Sequence, residues 1–176
     1  MSLDEELTLV KRAQTGDRAA LAELFDEITP RLYGYLVNTL RHTELAEDCL
    51  QTTWLKAIGA LPRFRPRGVR FSAWLFAIAR NVCQEHWRKA AHEPPLPENP
   101  PDHSDQAATS ERLQEKILTE SILRQLSPTD QEILRLRYLG ELTFKESAAV
   151  LGIAPLVARV RAHRALARAR VILNRS

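Results

Sequence analysis

Nowhere does the sequence stay apolar for anything close to the ~20 residues a bilayer-crossing helix needs, so no membrane span is expected. Its start, Met1-Ser2-Leu3-Asp4-Glu5-Glu6, is acidic where a secretory signal opens basic and then apolar. Both observations predict a soluble, cytoplasmic protein. Cysteine is almost missing, which excludes a disulfide scaffold: Cys49 and Cys83 are the only two, each inside an apolar-periodic stretch that suits a buried thiol. There is no CxxC pair and no HExxH helix. The nearest approach to a metal-dependent enzyme is the loose set Cys83, His86 and His92. Glycine is scarce, 6 residues against 10 prolines, and no alternating strand pattern of useful length occurs.

What is present is a globular composition, 44% hydrophobic and 27% charged over 176 residues, enough for one ordinary domain or two small ones. The formal charge of +3 hides a strong segregation. Residues 1–62 hold 6 basic and 10 acidic residues, 63–89 hold 7 and 1, 90–110 hold 0 and 4, 111–150 hold 6 and 7, and 151–176 hold 6 and 0. Two distant segments, each +6, are either solvated helix faces or the two places where one polyanion is touched.

Residues 91–110, AHEPPLPENPPDHSDQAATS, contain five of the ten prolines and four acidic residues without one Lys or Arg. That composition cannot bury a core and predicts a spacer between domains at 1–90 and 111–176. The first domain reads as helices. Leu3, Leu7 and Val10 lead to Thr15-Gly16-Asp17, where Gly16 suits a helix end and Asp17 a cap; Leu21, Leu24, Phe25 and Ile28 follow, and Pro30 is expected to kink or restart the helix. Leu45, Cys49, Thr53 or Trp54, Ile58 and Leu61 mark another apolar face, and Leu75, Ile78, Val82 and Cys83 a third, with Ser72 as its possible cap.

In the second domain Ser110 can cap a helix bearing Leu113, Ile117 and Ile122. Ser127-Pro128-Thr129-Asp130 offers a cap, an N1 proline and an acidic third position for a helix ending near Gly140. Thr143-Phe144-Lys145-Glu146 is a capping box, Gly152 is placed to end that short helix, and Pro155 opens a long one reaching about Leu173. A short helix, a tight Gly turn and a longer basic helix predict a helix-turn-helix. The long helix puts Ala158, Ala162, Ala165, Ala169 and Ile172 on its inner side and Arg159, Arg161, Arg164, Arg168 and Arg170 around the rest. Arg63-Phe64-Arg65-Pro66-Arg67-Gly68-Val69-Arg70-Phe71-Ser72-Ala73-Trp74 interleaves cations with aromatics, a mixture that suits single-stranded nucleic acid, although Phe71 and Trp74 also read as core, Trp74 at least equally so.

These residues resemble the extracytoplasmic-function (ECF) sigma factors, group 4 of the sigma-70 family. Ala46-Glu47-Asp48-Cys49-Leu50-Gln51 with Thr53-Trp54-Leu55-Lys56-Ala57 is similar to the family's polymerase-binding helix. Phe71 to Asn81 resembles its minus-ten helix, and Leu126-Ser127-Pro128 through Leu151-Gly152-Ile153 its minus-thirty-five region. The resemblance implies an all-α fold of two small helical domains joined by a Pro-rich acidic linker, with no catalytic residue, cofactor or metal. It implies core RNA polymerase, promoter DNA and an anti-sigma factor as partners. By resemblance Glu47, Asp48 and Gln51 face polymerase; Arg63, Arg65, Arg67, Arg70, Phe71, Trp74, Arg80, Asn81, Arg88 and Lys89 serve the minus-ten element; and Thr143, Arg159, Val160, His163, Arg164 and Arg168 serve the minus-thirty-five element. Two departures stand out. Thr52 replaces a usual acidic residue, and Ala154-Pro155-Leu156-Val157-Ala158-Arg159-Val160-Arg161 replaces Ser-x-Gly-Thr-Val-Lys-Ser-Arg, which predicts an unusual minus-thirty-five preference. The competing reading is a dimeric helix-turn-helix regulator that acts without polymerase.

Overall fold

The computed structural model describes residues 1–66, 68–90 and 121–174; the spacer at 91–110, the helix expected from Ser110 through Leu113 and Ile117, and Arg67 and His92 lie outside them. Among the described residues there are helices and turns and no strand. The N-terminal half is built from α1 (Leu3–Gln14), α2 (Arg18–Leu40), α3 (Thr43–Ala60), a single 3-10 turn (Leu61–Arg63) and α4 (Phe71–Ala90). Each boundary has a local cause. Ser2 and Glu5 form a reciprocal capping box on α1. Gly16 takes φ +93°, which a Cβ would resist, and Asp17 then accepts the Ala19 and Ala20 N–H groups to start α2. The His42 ring nitrogen accepts the Leu45 N–H to start α3.

Three sequence expectations are corrected. The helix does not break at Pro30 but runs through it from Arg18 to Leu40. An interior proline costs ~3 kcal/mol, but one continuous helix keeps Leu24, Ile28, Leu32, Tyr35 and Leu36 fully buried on a single face, and burying such side chains contributes ~1.5–3 kcal/mol each. Ser72 is not the cap of α4 but lies within it, one residue in. Its N–H and hydroxyl both donate to the buried Glu6 carboxylate of α1, at 2.8 and 3.1 Å, so an acidic side chain from another helix satisfies the start of α4. Ile58 is not core: it is 44% exposed, beside Leu55 at 69%.

The C-terminal half comprises α5 (Pro128–Leu134), a π turn (Arg135–Leu139), α6 (Phe144–Leu151) and α7 (Pro155–Leu173), preceded by helical residues 121–124. Ser127 caps α5 with Pro128 at its first position. Thr143 and Glu146 complete the capping box of α6, and Gly152 ends it in the left-handed conformation, φ +67°. Ala158, Ala162 and Ala165 of α7 pack against Leu126, Ile133, Leu134 and Ala148 as one small core. The close fit needs the small side chains, because each extra methylene would push α7 off α5 and α6.

The two halves are folded onto each other. Leu136, Leu142 and Val150 leave the C-terminal core and bury themselves in the N-terminal one, which is centred on α2 and α4. Gly140 sits so close to α4 that a Cβ there would come within 2.8 Å of the Phe76 ring. Around this apolar seam runs a set of polar links. Tyr35 donates to Glu132 at 2.8 Å, the buried Arg135 donates to Asn38 at 2.7 Å, and Arg31 donates to the Gly140 carbonyl at 3.3 Å.

Candidate polymerase and nucleic-acid interfaces

On α3 the buried positions Ala46, Cys49, Thr53, Trp54 and Ala57 hold the helix against α2 and α4. The opposite face carries Glu47, Asp48 and Gln51, all exposed, and continues at helical spacing into Leu55 and Ile58. The Tyr33 hydroxyl donates to Glu47 at 3.4 Å and steadies its carboxylate. An acidic stripe running into two exposed aliphatics offers what a protein interface uses, charge for orientation and apolar groups for affinity. Leu55 and Ile58 are not among the site residues expected from sequence; their spacing from Glu47, Asp48 and Gln51 puts them on the same exposed face.

The cation-aromatic loop divides into two. Its aromatics turn inward: Phe71 is 3% exposed, and the Phe64, Phe71 and Trp74 rings meet in tilted and edge-to-face contacts at centroid distances of 4.8 to 5.4 Å. Phe71 is therefore core in this conformation and out of reach of a base, because its burial closes the loop over α1 and α3. Trp74 is half-buried and stays at the edge of the cluster. Arg63 and Arg65 point to solvent, the latter clamped to the Phe64 carbonyl at 2.9 Å. On α4, Trp74, Asn81 and Arg88 recur seven residues apart on one face, with Asn81, Arg88 and Lys89 exposed.

Two of the expected minus-ten arginines face the other way. Arg70 makes a double hydrogen bond to Glu146 of α6, Nε to Oε1 at 2.6 Å and Nη2 to Oε2 at 3.1 Å, with side chains 18% and 6% exposed. Arg80 lies 3.5 Å from Glu132 of the C-terminal half. Burial by itself would raise the Glu146 pKa, but the Arg70 guanidinium and the Thr143 N–H and hydroxyl outweigh it and hold the carboxyl down at about 2. In the folded-together form, then, two carboxylates of the C-terminal half occupy two cations of the N-terminal half.

In the helix-turn-helix, α7 exposes Leu156, Val157, Arg159, Val160, His163 and Arg164. Thr143 stands at the start of α6, its hydroxyl committed to Glu146. Arg168 is engaged too: its guanidinium makes two 2.7 Å hydrogen bonds to the buried Asp130, tying α7 to α5. No side chain caps α7 at Ala154. Cys83 is buried and burial pushes its thiol up to about 12, against the thiolate a metal would need; among the described residues no cluster of three metal-capable side chains occurs.

Three surfaces on two helical halves, one acidic-apolar and two basic, define a transcription factor of the sigma-70 type, and comparison with known proteins agrees. Residues 24–93 match the family model Sigma-70 region 2 and residues 117–168 match Sigma-70, region 4. The chain is 33% identical over 174 residues to RNA polymerase sigma factor CarQ of Myxococcus xanthus, covering 94% of this chain and 95% of that one. It is 35% identical over 171 residues to ECF RNA polymerase sigma factor SigD of Mycobacterium tuberculosis, covering 91% and 80%. In fold it is similar to CnrH, solved in complex with the cytosolic domain of CnrY, at TM-score 0.75 and 23% identity, covering 98% of this chain and 99% of that one. The chain belongs to the ECF RNA polymerase sigma factors. The match to region 2 removes the reading as a regulator built on a helix-turn-helix alone.

Proposed function

We propose that this sigma factor docks on core polymerase through the α3 stripe Glu47, Asp48, Gln51, Leu55 and Ile58, holds unpaired minus-ten DNA on the α4 face and its loop, and reads minus-thirty-five duplex with α7. The observation that carries this reading is the segregation of three exposed faces onto separately cored halves, each face built by residues the core does not use. Phosphate contacts fall to Arg63, Arg65, Arg67, Arg88 and Lys89, and base capture to Asn81, whose amide both donates and accepts. The protein supplies no reacting group; its binding energy offsets the melting of the duplex. It works wherever polymerase and chromosome are, in the cytoplasm.

The folded-together conformation is a resting form. Elements about 25 base pairs apart are separated by ~85 Å of duplex at ~34 Å per helical turn, whereas a compact chain of 176 residues has a radius of gyration of ~16 Å. Both elements are engaged only after the halves separate, freeing Arg70 and Arg80 from Glu146 and Glu132. A partner that holds the halves together silences the factor; an RpoE sigma factor of Bartonella quintana, of similar fold at TM-score 0.66, was solved with the anti-sigma factor NepR. The α4 assignment is tested by Asn81→Ala in permanganate footprinting of the holoenzyme: unpaired thymines disappear from the minus-ten region while core binding holds. Undiminished melting would refute it.

A further inference from the structure

The first turns of α7 carry an arrangement with no hydrogen-bonding side chain at its centre. Ala158, Ala162 and Ala165 are buried and fix the inward direction of the helix. At 100° per residue, Leu156 and Val160 fall on the opposite side, followed one turn on by His163, with Arg159 and Arg164 on the two flanks. Leu156 is 71% exposed and Val160 40%, with Val157 beside them at 45%, so none of the described residues covers this stripe. α7 has no acidic residue among its 19 positions and five arginines, of which, among the described residues, Arg168 is the one tied to a carboxylate at salt-bridge distance.

An apolar stripe with cations along both margins is complementary to one surface in particular. The major groove of duplex DNA is walled by phosphates on both sides and floored by base edges, and the only apolar group on that floor is the C5-methyl of thymine. Leu156 and Val160 are one helical turn apart, with β-carbons ~6 Å from each other, close to the rise of two base-pair steps at ~3.4 Å each. An acidic amphipathic helix of a protein partner would meet the same charges, but it would bury the flanking arginines against carboxylates and has no need of two β- or γ-branched groups in register with base steps.

We propose that Leu156 and Val160 read thymine methyl groups in the minus-thirty-five element, making methyl contact rather than hydrogen bonding the basis of specificity there. This rests on the assignment of α7 to that duplex. Arg159, Arg164 and His163 hold the phosphates along the groove, a contribution largely independent of sequence. The element selected is accordingly rich in thymine on the strand facing the stripe.

The test uses holoenzyme assembled from the full chain and bacterial core polymerase. Upstream duplex is selected from a randomised library, and each selected thymine is then replaced singly by deoxyuridine, which deletes the methyl and keeps the base pair. Losing contact with one buried CH2-sized group predicts a roughly fourfold drop in affinity at one or two positions, and no drop for the same replacements with Leu156→Ala and Val160→Ala. Alanine keeps helix propensity, so both variants fold, which circular dichroism verifies. Deoxyuridine neutral at every position, while the upstream element is still selected and protected, overturns methyl reading alone. No selection upstream at all overturns the assignment of α7 as well. Unchanged DNA selection by the variants, with lost binding of a protein inhibitor, shows that the stripe serves a protein and also overturns the proposal.

Discussion

Replacing Glu146 by Gln removes the charge that faces Arg70 while keeping a side chain that still completes a capping box. The native carboxyl falls from the ordinary 4.5 to about 2, which at 1.36 kcal/mol per pH unit corresponds to about 3 kcal/mol favouring the ionised form. Part of that belongs to Thr143, whose N–H and hydroxyl both donate to Oε2 at 2.8 Å, and Gln retains those bonds. Arg70 supplies a share of that, on the order of 1 kcal/mol for the contact between halves, or several-fold to about tenfold in the closed-to-open ratio. A core polymerase that binds only the open form then gains up to tenfold in apparent affinity for Glu146→Gln. Small-angle scattering of the free protein reports the shift as a larger radius of gyration, and titration of labelled core reports the affinity. Because the folded carboxyl is depressed, the contact is fully present above about pH 5 and is lost as pH falls towards 2, so native protein at acid pH imitates the variant. An unchanged radius together with unchanged or weaker core binding would show that the Arg70–Glu146 pair does not restrain opening.

Gly140→Ala places a methyl within 2.8 Å of both the Phe76 ring and the Leu136 carbonyl and is expected to cost ~1–3 kcal/mol, read as a lower thermal midpoint or a more open solution shape; a midpoint and shape equal to the native protein's would contradict the packing. Arg168→Ala leaves Asp130 buried without its partner, and although the half-exposed guanidinium limits the loss, urea denaturation should show the C-terminal half weakened by ~1 kcal/mol with the selected promoter sequence unchanged. A changed sequence would return Arg168 to the DNA. With Cys83 pushed up to about 12 and Cys49 also raised by burial, both thiols should resist iodoacetamide at pH 8 in native protein and react once it is unfolded; rapid modification of the native state would refute the burial.

The C-terminal half was legible because its signals are local. Ser127-Pro128, the Thr143–Glu146 box, Gly152 and Pro155 each act within four residues, and the observed boundaries follow them. What the sequence could not reveal depends on contacts between distant residues. The helix does not restart at Pro30, because the buried face on either side carries it through, and that face is set by tertiary packing. Ser72 has the side chain of a cap, but the acceptor that satisfies it, Glu6, lies 66 residues away. The same limit applies to the site. Charge segregation located the basic loop, yet nothing in a linear pattern distinguishes Arg63, which is exposed, from Arg70, which Glu146 holds 76 residues further along the chain. Ile58 fits the apolar periodicity of Leu45, Cys49 and Leu61 yet is exposed, since an exposed apolar stripe and one that faces the core share the same spacing.

The most direct test of the whole account is runoff transcription by purified bacterial core polymerase on a promoter library, with and without this protein, in moderate salt. The account predicts new start sites that share a downstream and an upstream element, that depend on the protein, and that are lost when Glu47, Asp48, Leu55 and Ile58 are replaced together by alanine. No stable complex with core and no new start sites, from protein that still binds a specific duplex by itself, would contradict it.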